Sequence, residues 1–463
     1  MVRTQPLSKC RPTSLAASLM PTPTNCVASV LKDRLPHNLY NLLVQVGKQG
    51  DEHQVNIFLV GGFVRDLLLG ISNLDIDLVV EGNATIFAKT FAKQQKGRVK
   101  THDRFGTATV ICPDTQKLDF ATARTEHYEF PAALPTVKPS SIKKDLYRRD
   151  FTINTLAICL NRPQFGELLD FYGGQRDLHD QTIRVLHSLS FIEDPTRVFR
   201  AIRFTQRLNF RLAKETTDLI KDAVSKRVFR RLSKSRLLNE IILLLSEQDP
   251  RKILQQLAKF DLLKFIHQKL QWSSALAHAL KASEKAIRWH TLLYLDRPMD
   301  SWVVYWMVLM DTLPKKSVRD THQRLQFPQQ QAKKLRWIGR KTSSAIQQLS
   351  KRRKQQPSHI YRTLCDFPDE VLVFLMAKVQ SETVKQHLSA FLKTYRHIHP
   401  ILNGTDLKRM GLKPGPQFRS ILDKLLDARL NGEVKTDSDE WLSLIHISEP
   451  TRRYAISYAV FCM

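Results

Sequence analysis

The chain has 463 residues, enough for about two to four packing units with a sizeable core, and its 42% apolar and 25% charged residues are ordinary for a globular protein. Against 44 Asp and Glu stand 72 Lys and Arg, a net charge of +28. That excess favours a polyanion, since each cation that neutralises a phosphate releases condensed counterions; nucleic acid leads, with an anionic membrane surface or a generic basic protein as the other readings.

No apolar run reaches the roughly 20 residues of a membrane helix. The cysteines Cys10, Cys26, Cys112, Cys159, Cys365 and Cys462 form no CxxC pair and no zinc-ligand spacing, so they read as free thiols of a reducing compartment. Residues 1–32 are rich in Ser, Pro and Arg, and no acid precedes Asp33. They read as a disordered leader or linker, or as an organelle transit segment that lacks a clear amphipathic pattern.

Between 33 and 160 the strand-like runs FLV, DLVV, TATVI and KLDFA alternate with helical segments, which makes an α/β or α+β unit. GTATVICPDTQKLDFATAR reads as a hairpin with Asp119 on its second strand. TARTEHYEFPAALPTVKPSSIKKDLY (122–147) reads as a mobile loop. From about 175 helical patterns take over, including DPTRVFRAIRFTQRL and SKSRLLNEIILLL, and no solenoid-type repeat is present. The expected divisions are a helical neck at 161–250, a body at 251–345 and a tail at 346–441. WVVYWMVLM (302–310) is about half a membrane span and reads as a buried core helix. From Leu442 the pattern breaks. LSLIHISEPTR resembles the translation of a sequencing-library adapter, so 442–463 reads as a non-native tail, the alternative being an unusual native one.

FLVGGFVRDLLLGISNLDID (58–77) poses the chemical question. Side chains alternate across a strand, so Asp75 and Asp77 share one face while Ile76 and Leu78 take the other. Paired carboxylates repel unless a cation lies between them, and Mg²⁺ is often held by one or two carboxylates plus substrate phosphates. The preceding Gly61-Gly62 turn offers backbone N–H groups for close approach to an anion. Asp119 is either a third acid, completing a two-metal phosphoryl-transfer site, or a simple strand-end residue.

GGFVRDLLLG (61–70) with DID (75–77), RRDFTINTLA (148–157) and EDPTRVFRAIRF (193–204) together resemble the class II tRNA nucleotidyltransferase and bacterial poly(A) polymerase family. The likeness runs from about 55 to 245 and weakens beyond. It implies an α+β fold: a polymerase-β-like nucleotidyltransferase palm at 33–160, then all-helical neck, body and tail. It also implies that Asp75 and Asp77 hold Mg²⁺ in a two-metal site and that Gly61 and Gly62 contact the nucleoside triphosphate. Arg65 and Asp66 would support that site. Arg148, Arg149 and Asp150 would serve the ribose and phosphates, the alternative for the arginines being salt bridges within the palm.

Glu193, Asp194 and Arg197 form the family's EDxxR pattern. On a helix Asp194 and Arg197 share a face, and they match the amine donor and ring-nitrogen acceptor of adenine or cytosine while refusing uracil and guanine. The bland alternative is an i,i+3 ion pair. Arg200 and Arg203 either reach phosphates or point to solvent or an acid. KSRLLNE (234–240) resembles a further helix beside the nucleotide pocket. Lys333, Lys334, Arg336, Arg340, Lys351, Arg352 and Arg353 are candidates for RNA backbone contacts, which position without reading sequence. NGTDLKRMGLKPGPQFRSILDKLLDARLNGEV (403–434) reads as helix, turn, helix.

The implied activity is template-independent addition of A, or of C and A, from ATP and CTP to the 3′ end of tRNA, with release of pyrophosphate. PAALPTVKPSSIKKDLY and FIEDPTRVFRAIRF look most like members that occur with additional N-terminal domains and can be A-adding, which leaves the subtype open. Poly(A) polymerase action on other RNA 3′ ends is the nearest alternative, and a catalytically silent RNA-binding relative is the alternative of another class. The implied partners are RNA and nucleoside triphosphate, with no membrane. The implied place is the cytoplasm of a bacterial-type cell, with organelle targeting by the leader left open. Oligomeric state is not legible.

Overall fold

The computed structural model describes residues 25–127, 136–295, 298–337, 340–351, 355–409, 412 and 414–444. The chain divides after Phe265 into two compact units. In the first, α1 (Ala28–Arg34) and α2 (His37–Glu52) lead to β1 (Asn56–Val60), α3 (Gly62–Leu68), β2 (Ile76–Glu81) and α4 (Ala84–Gln94). There follow β3 (Arg98–His102), β4 (Thr107–Ile111), β5 (Lys117–Thr122), β6 (Arg124–His127), β7 (Thr136–Pro139), α5 (Ile142–Tyr147), β8 (Leu156–Cys159) and β9 (Leu168–Asp170). Seven strands make one sheet in the order β3-β4-β5-β2-β1-β8-β9.

Every neighbouring pair in that sheet is antiparallel except β2 and β5. The parallel pair forms because the chain leaves β2 through α4 and returns by the β3–β4 hairpin, a connection long enough for a crossover. α4 is capped by Asn83, whose side chain accepts the Thr85 and Ile86 amides. Its Phe87 and Phe91 pack on Phe120 of β5, with ring centroids 5.6 and 6.0 Å apart. β1 and the central part of β2 are continuous apolar runs because they are covered on both faces.

The second half of this unit is helical. It holds α6 (Gly174–His179), α7 (Ser190–Glu193), α8 (Thr196–Leu208), α9 (Lys214–Ser225), α10 (Lys234–Leu245) and α11 (Pro250–Lys259), and both α10 and α11 pack on α8. Three expectations need correcting. Helical structure starts at Ala28, and Val27 and Leu31 are buried, so 25–32 are not leader. Strands continue past 175, since Thr182–Ile183 pairs with Arg211–Leu212 in parallel. The segment read as a mobile loop is a two-stranded β6–β7 ribbon followed by α5. Its residues 128–135 lie outside the described residues.

In the second unit Trp302 to Met310 are all buried, within the helix Ser301–Asp311. This is the expected core helix, apolar all round because it is enclosed. No described helix is long and apolar enough to cross a membrane. The described cysteines, Cys26, Cys112, Cys159 and Cys365, form no disulfide. Residues 442–444 continue a helix that begins at 437, and Leu444 is buried with Leu402, Leu407, Ile421 and Leu425. The rest of the expected non-native tail, 445–463, lies outside the described residues.

Phe120 joins α4 to the strand that carries Asp119. Phe120→Ala is expected to destabilise the first unit by about 3–5 kcal/mol, measured as a lower midpoint in urea unfolding; a loss under about 1 kcal/mol would show that this aromatic cluster does not hold the sheet.

Candidate active site

Asp75 lies just before β2 and Asp77 within it, both open to a cleft, while Ile76 and Leu78 between and beyond them are 1% exposed. Strand alternation therefore places the two acids as the sequence suggested. The parallel register sets Asp119 directly opposite Asp77. Its carboxylate, however, already receives the Thr109 hydroxyl and the Lys117 ammonium, the latter at 2.6 Å. Among the described residues no group of three or more acids, histidines or cysteines is arranged to hold a metal. Asp75 and Asp77 are thus the acids free to take a divalent cation, which suits Mg²⁺, an ion that usually keeps waters and phosphate oxygens as its other ligands. Desolvation at the cleft floor, and then the charge of Asp75, push the Asp77 carboxyl up to about 6, with Arg149 opposing and Asp119 adding.

Gly61 turns the chain from β1 into α3 at φ +73°, and a Cβ there would lie 2.8 Å from Arg149 Nη1 and 3.8 Å from Asp77 Oδ2. The left-handed conformation calls for glycine, while the close atom is the movable end of the Arg149 side chain. Gly62 is less constrained, since a Cβ would meet only Arg65 Nη2 at 3.6 Å.

Arg65 and Asp66 are 3% and 2% exposed and form a buried ion pair at 2.7 Å. Asp66 also accepts Asn73 Nδ2 at 2.8 Å, and Asn73 Oδ1 accepts the Asp75 amide at 2.9 Å. On the other side Arg65 Nη1 donates to Asn154 Oδ1 at 2.7 Å, and Asn154 Nδ2 donates to Asp150 at 2.9 Å. The pair is a strut between the loop of Asp75 and the loop of Asp150. Arg148 is bound by Asp145 and Glu126, each at 2.7 Å, and Arg149 reaches Asp145 at 3.2 Å. Salt bridges within the palm, the alternative for these arginines, are present. Burial alone would raise the Asp150 carboxyl, but Arg200 and Asn154 bring it below its ordinary value.

Asp194 and Arg197 do not share a helix face. Asp194 is extended (φ −134°, ψ 93°) in the break between α7 and α8, where Oδ1 accepts the Thr196 amide and hydroxyl at 3.0 and 2.6 Å. Its ion-pair partner is Arg236 of α10, at 2.7 Å. Arg197 donates instead to Ser190 Oγ at 2.8 Å and to the Arg148 carbonyl at 2.6 Å. Pro195 and the Thr196 hydroxyl explain the break, because they favour a helix start there over its continuation. The i,i+3 ion pair is excluded by these partners. Arg200 binds Asp150 at 2.5 Å, and Arg203 is buried with its guanidinium 5.7 Å from the Phe204 ring centroid.

One cleft of about 940 Å³ is lined by Gly61, Asp75, Asp77 and Arg149 together with Asp194, Arg197, Arg200 and Arg236, while Asp66 and Arg203 lie outside its lining. Glu126, Arg207, Asn239 and Glu240 also line it and were not singled out in the sequence. Arg236, Asn239 and Glu240 belong to KSRLLNE, whose helical pattern was the available signal. Glu126 gave none, since it lines the cleft through pairing with Arg148 at 2.7 Å and Arg124 at 3.8 Å.

In the second unit Lys333, Arg336 and Lys351 are exposed. Lys334 is not a surface cation: it bridges Asp300 and Glu370 at 2.7 and 2.6 Å. The side chain of Arg340, and Arg352 and Arg353 entirely, lie outside the described residues.

Residues 57–184 match the Poly A polymerase head domain, and 209–272 match the probable RNA and SrmB-binding site of polymerase A. The chain is 43% identical over 439 residues to the A-adding tRNA nucleotidyltransferase of Geobacter sulfurreducens, covering 94% of this chain and 50% of that protein. It thus spans about half the length of that relative. It is 32% identical over 427 residues to the A-adding tRNA nucleotidyltransferase of Halalkalibacterium halodurans, covering 88% of this chain and 93% of that one. A solved CCA-adding enzyme in complex with ATP superposes with a TM-score of 0.72 at 33% identity, covering 92% of this chain and 99% of that one.

The raised Asp77 carboxyl gives a signed expectation. Without divalent cation the folded state holds this proton more tightly than the unfolded chain does, so stability from this group is full below about pH 4 and is lost as pH rises through about 6. Asp77→Asn should therefore melt progressively higher than the parent as pH is raised from 4 to 7 in EDTA, and Mg²⁺ at pH 7 should raise the parent's Tm alone. Parallel melting curves for the two proteins would refute the assignment.

Proposed function

The chain belongs to the tRNA nucleotidyltransferase family, and from that premise we propose that it adds A to the 3′ end of tRNA using ATP. The observation that carries this reading is one cleft holding the paired Asp75 and Asp77 together with the Asp194, Arg197 and Arg236 group. Those are the needs of a nucleoside triphosphate: a cationic clamp at its phosphates and a hydrogen-bonding edge for its base. Addition of A in particular is favoured by the likeness to A-adding relatives.

Asp75 and Asp77 would hold Mg²⁺, which when bound makes the RNA 3′-hydroxyl a better nucleophile and offsets charge on the leaving pyrophosphate. The 3′-oxygen bonds to the α-phosphorus as the bond to the bridging oxygen breaks. Gly61 leaves room for Arg149 beside the phosphates. Arg236 keeps Asp194 oriented as an acceptor, and the Arg148 carbonyl fixes the Arg197 guanidinium as a donor. Adenine and cytosine present the complementary amine and ring nitrogen, whereas uracil and guanine set a carbonyl against the carboxylate. Lys333, Arg336 and Lys351 are available for phosphate contacts that position RNA.

The test offers purified protein tRNAs ending before CCA, after the first C and after CC, plus an unstructured RNA, with ATP and CTP separately. The expected product is one added A on the tRNA ending in CC. Growth of a long tail on unstructured RNA would support the poly(A) polymerase reading, which the match to the Poly A polymerase head domain keeps open. Asp75→Ala or Asp77→Ala should each reduce incorporation by about a thousandfold with the far-UV circular dichroism of the folded parent retained; parent-like incorporation by either variant would sink the assignment.

A further inference from the structure

Asp150 is the most heavily engaged acid of the cleft. Its Oδ1 accepts the Phe151 amide and Asn154 Nδ2, both at 2.9 Å, and its Oδ2 accepts Arg200 Nε and Nη2 at 2.8 and 2.5 Å. Four donors on two oxygens fill a carboxylate's acceptor capacity. No substrate hydroxyl can donate to Asp150 until one of them leaves. The Phe151 amide and Asn154 belong to the same loop as Asp150, and Asn154 is further pinned by Arg65. Arg200 comes from a different element, α8, on a long side chain that is 34% exposed. Arg200 is the donor able to leave.

A guanidinium that leaves its carboxylate partner in this cleft needs another acceptor, because an uncompensated charge at a partly desolvated site is unfavourable. α10, packed on α8, supplies one. Glu240 lines the same cleft, is 8% exposed, and its Oε2 has no hydrogen-bond partner. Leaving a buried acceptor unmade is itself unfavourable, and burial pushes the Glu240 carboxyl above its ordinary range. The charges of Arg203 and Arg200 pull in the opposite direction. The cleft thus holds on α10 an acceptor oxygen without a hydrogen-bond partner, within electrostatic reach of Arg203 and of Arg200, whose own carboxylate partner is Asp150.

We propose that Glu240 is a positioning residue that receives Arg200 when a ribose hydroxyl of the nucleotide takes its place on Asp150. The inference rests on the reading of this cleft as a nucleotide site. With a ribonucleotide bound, Arg200 pairs with Glu240 and Asp150 accepts the 2′-hydroxyl. A 2′-deoxynucleotide brings no donor to repay the exchange, so Arg200 stays on Asp150. Glu240 thereby strengthens the preference for ribose without touching the substrate.

Equilibrium binding of ATP and of 2′-deoxyATP to the full chain, followed by calorimetry, tests this. The parent should bind ATP more tightly, and Glu240→Gln should lower the ratio of the two affinities about tenfold, by weakening ATP while leaving 2′-deoxyATP unchanged. Glu240→Asp keeps the charge but withdraws it by one methylene. It should give an intermediate ratio, and it carries the test should Glu240→Gln not fold. Equal weakening of both nucleotides, an unchanged ratio, or no preference in the parent overturns the proposal. Binding needs no turnover. A parent that shows the expected ratio and loses it in Glu240→Gln, yet adds nothing to any RNA, would overturn the proposed function while supporting the role of Glu240.

Discussion

The buried pair of Arg65 and Asp66 is the contact on which the rest of the cleft depends. Each residue is next to its partner in the chain, yet each reaches a different loop, Asp66 through Asn73 to Asp75 and Arg65 through Asn154 to Asp150. Asp75 and the loop of Arg148, Arg149 and Asp150 are far apart in sequence and come from opposite sides of β1. A strut of charge-assisted hydrogen bonds fixes their separation more sharply than apolar packing would, because both distance and direction are specified. Its rigidity follows from burial: with water excluded, losing either partner leaves an uncompensated charge in the core.

Around that strut the cleft sorts its acids by how they are neutralised. Asp119 has a lysine and a threonine, Asp150 an arginine and an asparagine, Asp145 two arginines, and Asp194 an arginine and a threonine. Among the described residues Asp75, Asp77 and the buried Glu240 are the cleft acids with no cation in direct contact, although Arg149 lies close to Asp77. In a chain of net charge +28, that is a selective arrangement. The surplus of Lys and Arg suits a polyanion, and on the proposed function Asp75 and Asp77 would serve a cation held between polyanion and protein.

Much of this was legible in the sequence because it depends on local periodicity. Alternation in LDIDLVV put Asp75 and Asp77 on one face, the apolar run 302–310 announced an enclosed helix, and TATVI and KLDFA announced a hairpin. What escaped depends on which distant elements meet. Asp194 and Arg197 are three apart, so a helix would have joined them; Pro195 and Thr196 broke that helix, and the partner of Asp194 came from 42 positions away, at Arg236. Lys334 looked like one cation in a basic run, but Asp300 and Glu370 enclose it. The β6–β7 ribbon hid in a stretch whose prolines argued against strands. In each case the missing information was long-range.

The helix break at Asp194 has a consequence for how such a protein changes its selectivity. A side chain on a helix face is aimed by all the hydrogen bonds of the helix, and re-aiming it means moving the whole element. A side chain in a break is aimed by two backbone dihedrals of its own residue. Asp194 is therefore mounted on a joint rather than a wall, steadied by Thr196 and Arg236. On the proposed function, turning one peptide plane would re-aim that carboxylate with no substitution at Asp194 itself.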